Sequence, residues 1–284
     1  MRRILSTYRW VKQPLTSMLL GEIAKAEIRD VEVFCASVHF DYRSGEAVRD
    51  LASALSEHRL ELNSLHAPTE RDAISGHQTG MPISISDPER IRRIDAVDEV
   101  KRALEVAERI PFRYLVQHIG SGRQSADPRK MDAAFASLEN LAIFAKHRGV
   151  TIAIENKPDE LSCPASLHQF IQETHLQVKF CFDTGHAHIE GGVGPGLELM
   201  RERVVTMHVH DNHGDKDEHL APGEGTIDWD AAFTALAGVP EMPSLVMELK
   251  ERGAGAPKMD EIRAAFDRLE EFAEKKGDAR ADSR

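Results

Sequence analysis

Residues 204–229, VVTMHVHDNHGDKDEHLAPGEGTIDW, decide how this chain is read. The stretch opens as an apolar strand, Val204 to His208. It then carries His208, His210, Asp211, His213, Asp215, Asp217 and His219 within twelve residues. It closes on the tight turn Pro222-Gly223-Glu224-Gly225 and on Asp228, the expected N-cap of a helix from Trp229. Neutral imidazole nitrogen and carboxylate oxygen are the ligands that a borderline divalent cation such as zinc or manganese takes. An apolar strand followed by such side chains at this density points to a metal site at a strand's end.

Outward from that stretch, short apolar strands alternate with longer amphipathic segments. Strands are expected at Ile4–Thr7, Val31–Ala36, Leu60–Leu65, Arg113–Gln117, Thr151–Ile154, Val178–Phe182, Val204–Met207 and Leu245–Met247. Helices are expected around Leu15–Ala26, Ala47–His58, Pro128–His147 (stopped by Gly149) and Lys258–Glu274. A further helix opens at Asp87-Pro88, with Asp as N-cap and Pro first in the helix, and runs to about Arg109. Residues 69–88, with Gly76, Gly80, Pro82 and Pro88, read as a long loop of the kind often used for function. Eight strands separated by helices imply parallel pairing, and eight is the number that closes a (β/α)8 TIM barrel. The expected organisation is one barrel over residues 1–275 and a flexible tail over 276–284.

Side chains at the C-terminal ends of barrel strands form the active-site face of that fold. From the third strand to the eighth, the segments end in His66, His118, Glu155, Asp183, His208 and Glu248. All six are metal-ligand or acid–base types, and a barrel brings all six to one mouth.

The bulk properties narrow the classes. The chain has 284 residues, 41% of them apolar, enough for a large core. A formal charge of −11 argues against extended polyanion binding. Cys35, Cys163 and Cys181 are odd in number and widely spaced, which suits free thiols in a reducing cytoplasm. No apolar run approaches a membrane span. The chain is expected to be a soluble cytoplasmic protein.

Several pieces of the sequence together resemble the xylose isomerase-like TIM-barrel superfamily, which holds sugar isomerases and epimerases and the endonuclease IV-type apurinic-site nucleases. They are Ile152-Ala153-Ile154-Glu155-Asn156, Cys181-Phe182-Asp183-Thr184-Gly185-His186, Met207-His208-Val209-His210-Asp211, Gly223-Glu224-Gly225 and Met247-Glu248. The resemblance covers about residues 4–272. In its sugar branch, one divalent ion is held by residues matching Glu155, Asp183, His208 and Glu248, and His186 matches the substrate-contacting histidine. That branch's substrate-binding arginine has no match, since His219 stands in about its place. The nuclease branch uses three zinc ions, with ligands matching His66, His118, Glu155, Asp183, His186, His208, Asp217, His219 and Glu248.

The resemblance therefore implies one to three divalent ions per chain (manganese, zinc, cobalt or iron). The functional expectation is a metal-dependent isomerase or epimerase of a sugar or sugar derivative. By resemblance, Glu155 and Glu248 remove and return the α-proton while the cation stabilises the enediolate. His186, His118, Lys157, His219 and Trp10 are the expected substrate contacts. His188 and His210 are read either as residues that orient ligands from behind or as ordinary polar filling. The alternative is a zinc-dependent apurinic-site nuclease or other phosphoesterase. The partner is expected to be a small sugar rather than nucleic acid or membrane, and barrels of this kind commonly form homo-oligomers.

Overall fold

Eight parallel strands close on themselves into a barrel, and helices cover the outside. The structure is a computed structural model, and it describes residues 2–71, 80–250 and 258–281. The barrel strands are β1 (Ile4–Ser6), β2 (Asp30–Phe34), β3 (Glu61–His66), β6 (Tyr114–Gln117), β7 (Thr151–Glu155), β8 (Lys179–Asp183), β9 (Val204–Val209) and β10 (Ser244–Met247). Each of the eight strands expected from the sequence is present, with ends shifted by a residue or two. The remaining strands, β4 (Glu70–Arg71) and β5 (Met81–Pro82), form a small antiparallel ribbon after β3. The ribbon lies in the expected long loop, whose Gly76 falls outside the described residues.

The helices are α1 (Ser17–Lys25), α2 (Gly45–His58), α3 (Arg90–Glu105), α4 (Pro128–Lys146), α5 (Pro164–Glu173), α6 (Thr184–Ile189), α7 (Val193–Met200), α8 (Trp229–Leu236) and α9 (Met259–Ala281). Their boundaries have local causes. Asp127 accepts the Arg129 N–H at 2.9 Å with Pro128 in the first turn of α4, and Gly149 turns the chain out at φ +72°. Asp228 accepts the Ala231 N–H at 2.9 Å and starts α8 as expected.

Two expectations are corrected. The helix expected from Pro88 begins at Arg90, because Asp87 Oδ1 accepts the Glu89 N–H at 2.8 Å and makes a turn ahead of it. It also ends at Glu105 in a single 3-10 turn, Val106–Glu108, ahead of Pro111, which disfavours helical backbone at Ile110. The last helix continues past Glu274 to Ala281, so the expected tail lies partly in it and partly outside the described residues.

Two layers of apolar packing hold this frame. The large core lies between barrel and helices and includes Leu65, Leu115, Ile152, Phe182, Val209 and Met247 from the strands. A smaller cluster, Val116, Ala153 and Cys181, fills the barrel itself. Strand side chains alternate faces. Residues two further along from this cluster, His118, Glu155 and Asp183, therefore share its inward face and emerge at the C-terminal mouth.

Candidate active site

The strand ends, the short helix α6 and the loop after β9 together gather the nine residues His66, His118, Glu155, Asp183, His186, His208, Asp217, His219 and Glu248. Register does the first part: Asp183 pairs with His208, His208 with Val246, and His66 with Val116. The resulting triads are His66–His118–Glu155, Glu155–Cys181–His208, Asp183–His208–Glu248, Glu155–Asp183–His186 and His210–Asp217–His219. In each, one ligand atom per residue lies within 4.8 Å of the others. Glu155 joins three of these groups: its Oε2 is 3.0 Å from His118 Nε2 and 3.3 Å from His66 Nε2, and its Oε1 is 3.4 Å from both His208 Nδ1 and His186 Nδ1.

Hydrogen bonds from behind fix how these side chains are presented. His66 Nδ1 is 2.8 Å from Ala67 O, His186 Nδ1 is 2.9 Å from Asn156 O, and His219 Nδ1 is 3.2 Å from Glu248 O. A neutral imidazole has one proton. With it given to the carbonyl, Nε2 presents a lone pair toward a carboxylate: Glu155 for His66, and Asp217 for both His186 and His219. His208 shows the same conflict more sharply. Its Nδ1 stands 2.8 Å from Glu248 Oε2 and 3.8 Å from Asp183 Oδ2, yet neither ring nitrogen has a hydrogen bond. Electron pairs aimed at one another in a buried site require an extra proton or a cation between them. The donor set, imidazole and carboxylate, fits a divalent cation.

Protonation equilibria carry the same signature. Burial alone would raise the Glu155 pKa, but His118 and His208 beside it hold it well below the usual carboxylate range. Burial opposes the shift at Glu248 too, and His208 and His219 bring it down to about 2. His186 is pushed well above the ordinary imidazole value: burial opposes this, and Asp183, Asp217 and Glu155 outweigh it. His208 is likewise raised well above it, against burial, by Cys181, Glu248, Glu32 and Glu155. For His118 burial wins and the pKa falls. Groups so strongly perturbed in one cleft make it the candidate functional site.

The loop after β9 is held by Asp211. Its Oδ1 accepts the Asn212 and Ile227 N–H groups at 2.9 and 3.1 Å, and its Oδ2 accepts Gly223 N–H and Trp229 Nε1–H, both at 2.9 Å. Gly225 is required here, because a Cβ would strike Asn212 O and Asp211 Oδ1. The loop so tied presents Asp217 and His219 to the mouth. Asp183 is held in turn: Asn156 Oδ1 accepts its N–H at 2.8 Å, its Oδ1 caps α6 through His186 N, and His210 Nε2 lies 3.0 Å from its Oδ2. His186 is thus on a short helix, and His210 reaches the Asp183 carboxylate from the strand end next to it.

A cavity of about 440 Å³ opens above these groups. His66, His118, Glu155, Lys157, His186, Asp217, His219 and Glu248 line it together with Tyr8, Phe34, Gln117 and the Gly120–Gly122 segment. Lys157 donates to Gly122 O at 2.7 Å at the rim. Trp10, expected to touch substrate, is corrected: it is 2% exposed in the core and does not line the cavity. The aromatic wall is Tyr8 and Phe34, with Tyr8 5.0 Å from the His219 ring. His188 is not behind a ligand either; it reaches Thr226 Oγ1 at 2.9 Å. His213 and Asp215 are exposed and do not line the cavity, and His213 pairs with Glu218 at 2.7 Å. The sequence reading also missed Glu32, fully buried inside the barrel beside His208; its signal was a carboxylate set between Val31 and Val33.

Fold and site together define a (β/α)8 barrel whose C-terminal mouth is lined with histidines and carboxylates. The chain belongs to the xylose isomerase-like TIM barrel family, whose model matches residues 20–272. Among curated proteins it is similar to the uncharacterized protein MJ1614 of Methanocaldococcus jannaschii, with 27% identity over 186 residues, 65% of this chain and 70% of that one. It is also similar to the uncharacterized protein MJ1311 of the same organism, 26% identical over 235 residues, 79% of this chain and 75% of that one. Among solved structures, a D-tagatose 3-epimerase-like protein superposes with a TM-score of 0.79 at 22% identity, covering 98% of this chain and 99% of that one. An L-ribulose 3-epimerase superposes with a TM-score of 0.79 at 17% identity, covering 100% and 98%. At these identities the structural likeness establishes the fold. No helix among the described residues is long and apolar enough to cross a membrane.

Proposed function

We propose that the protein is a divalent-metal-dependent isomerase or epimerase of a small sugar or sugar derivative. The observation that carries this reading is the pair of buried glutamates, Glu155 and Glu248, converging on His208 Nδ1 from β7 and from the end of β10, two strands separated by β8 and β9. Asp183 and His208 complete the set that would hold the cation. The cation, when bound, supplies Lewis acidity toward the carbonyl and neighbouring hydroxyl oxygens of the substrate. Glu155 and Glu248, kept as carboxylates by their histidine neighbours, take the proton from the carbon beside the carbonyl and return it. His186 and His219 hold substrate oxygens, Tyr8 and Phe34 wall the carbon chain, and Lys157 faces the distal end. The cavity volume suits a monosaccharide, and sugar epimerases among the structural neighbours support the same substrate class.

A second reading, a multi-metal phosphoesterase, rests on one specific observation. His66 with His118, and Asp217 with His219, extend the central ligand set on both sides into further triads. Against nucleic acid as its substrate, Lys157 is the one lysine or arginine among the described cavity-lining residues, beside Glu70, Glu155, Asp217 and Glu248.

The test is elemental analysis of the purified protein, followed by incubation of the metal-loaded enzyme with ketoses and aldoses in deuterated water. About one tightly held ion per chain and deuterium at the carbon beside the carbonyl, lost in Glu248→Gln, support the proposal. Close to three zinc ions per chain, with phosphodiester cleavage and no exchange into any sugar, would replace it with the second reading.

A further inference from the structure

Glu32, in the middle of β2, is a carboxylate that the proposed chemistry leaves unused. It is fully buried, and it lies within electrostatic reach of Cys181, a member of the small cluster that fills the barrel. A carboxylate there is costly unless it is paired or hydrogen-bonded. One of its oxygens is fixed: Ser64 Oγ donates to Oε2 at 2.7 Å, and Asn63 Nδ2 donates to Ser64 Oγ at 3.1 Å. The other oxygen, Oε1, has no hydrogen bond and stands 3.0 Å from His208 Nε2, which has none either. The opposite nitrogen of the same ring, Nδ1, is the one facing Glu248, Glu155 and Asp183.

We infer that Glu32 is a positioning residue for His208: when a cation sits on the mouth side of the ring, Oε1, 3.0 Å away, accepts a hydrogen bond from Nε2–H and so leaves Nδ1 as the electron-pair nitrogen turned toward the cation. With the single imidazole proton on Nδ1 instead, the ring would present an N–H to the cation and could not ligate it. Ser64, anchored by Asn63, holds the carboxylate in the orientation that aims Oε1 at the ring. A carboxylate behind a ligating histidine fixes its tautomer and ring angle and raises its basicity, and losing one typically weakens metal binding about 10–100-fold. Glu32 does not line the cavity, and the one residue of the proposed ligand set that it pairs with directly is His208.

This inference rests on reading the mouth as a cation site, and the experiment separates the two. Cobalt(II) is titrated into metal-free full-length protein and followed by visible absorbance and calorimetry, with His208→Ala identifying which binding step belongs to the central site. Glu32→Gln is expected to weaken that step about 10–100-fold and to shift its cobalt absorbance bands, while the metal-free melting temperature and far-UV circular dichroism stay near wild type. Ser64→Ala, which frees the carboxylate to swing, is expected to weaken the same step by a smaller factor. Wild-type cobalt affinity in Glu32→Gln overturns the inference and leaves the cation site standing. If Glu32→Gln does not fold, unchanged affinity in Ser64→Ala overturns it. Wild-type protein that takes up no cobalt overturns the cation site itself, and the inference with it.

Discussion

Replacing Asp211 with alanine is expected to cost the protein a large share of its stability and to unmoor one arm of the site. The side chain is fully buried and accepts four N–H donors, from Asn212, Gly223, Ile227 and Trp229. Removing it strands the donors of Asn212, Ile227 and Trp229 away from water, whereas Gly223 lies at an exposed turn where water can take over. A stranded buried donor costs about 1–3 kcal/mol, and three of them, partly relieved by local relaxation, cost about 3–6 kcal/mol. At about 2–4 °C per kcal/mol for a chain approaching this size, the melting temperature falls by about 6–24 °C. Asp211→Asn is expected to fall between: it keeps an acceptor for two donors but turns an amide toward the other two. The assay is thermal unfolding by circular dichroism with elemental analysis in parallel, because the loop that Asp211 holds carries Asp217 and His219. A variant melting within about 3 °C of wild type, with full metal content, would refute the reasoning.

Other outcomes follow from the same geometry. Gly185→Ala puts a Cβ into the His210 ring and the Asn212 amide, so His210 must leave Asp183. Lower stability and weaker metal retention are expected, and a wild-type melt with full metal content would show that the ring moves aside freely. For the metal-free protein, the pH dependence of stability has a definite sign. Glu155 and Glu248 have depressed pKa values, so their contribution is present above about pH 4.5 and lost as the pH falls toward the folded values, near 2 for Glu248. His186 and His208 are raised, so theirs is full below about pH 6.5 and lost as the pH rises through the folded values. Melting temperatures of the metal-free protein are therefore expected to peak between these limits. Saturating cobalt should remove the alkaline decline, because the cation takes the place of the protons. A metal-free protein more stable at pH 8.5 than at pH 5.5 would contradict this.

The sequence by itself determined the barrel and most of its mouth, and the reason is periodicity. Eight apolar runs separated by helical segments leave few topologies open, because parallel neighbours need a crossover helix. A strand places alternate residues on one face, so the ends at His66, His118, Glu155, Asp183, His208 and Glu248 were bound to meet once the barrel closed. Local chemistry also fixed the caps at Asp127 and Asp228 and the left-handed turn at Gly149.

What only the tertiary structure decided concerns residues whose role depends on a partner far away in the chain. Asp211 sits within the ligand-rich stretch and reads like its neighbours, yet all four of its bonds go to main-chain and indole donors of its own loop. Trp10 looks like a sugar-stacking residue because it follows the first strand, but the 3-10 turn Thr7–Trp10 carries it into the core and leaves Tyr8 in the wall. Glu32 has no local sign of importance beyond its apolar neighbours. Its meaning comes from Ser64, thirty-two positions later, and from His208 on β9 across the barrel. Strand alternation states which face a side chain takes; barrel closure alone states what it meets there.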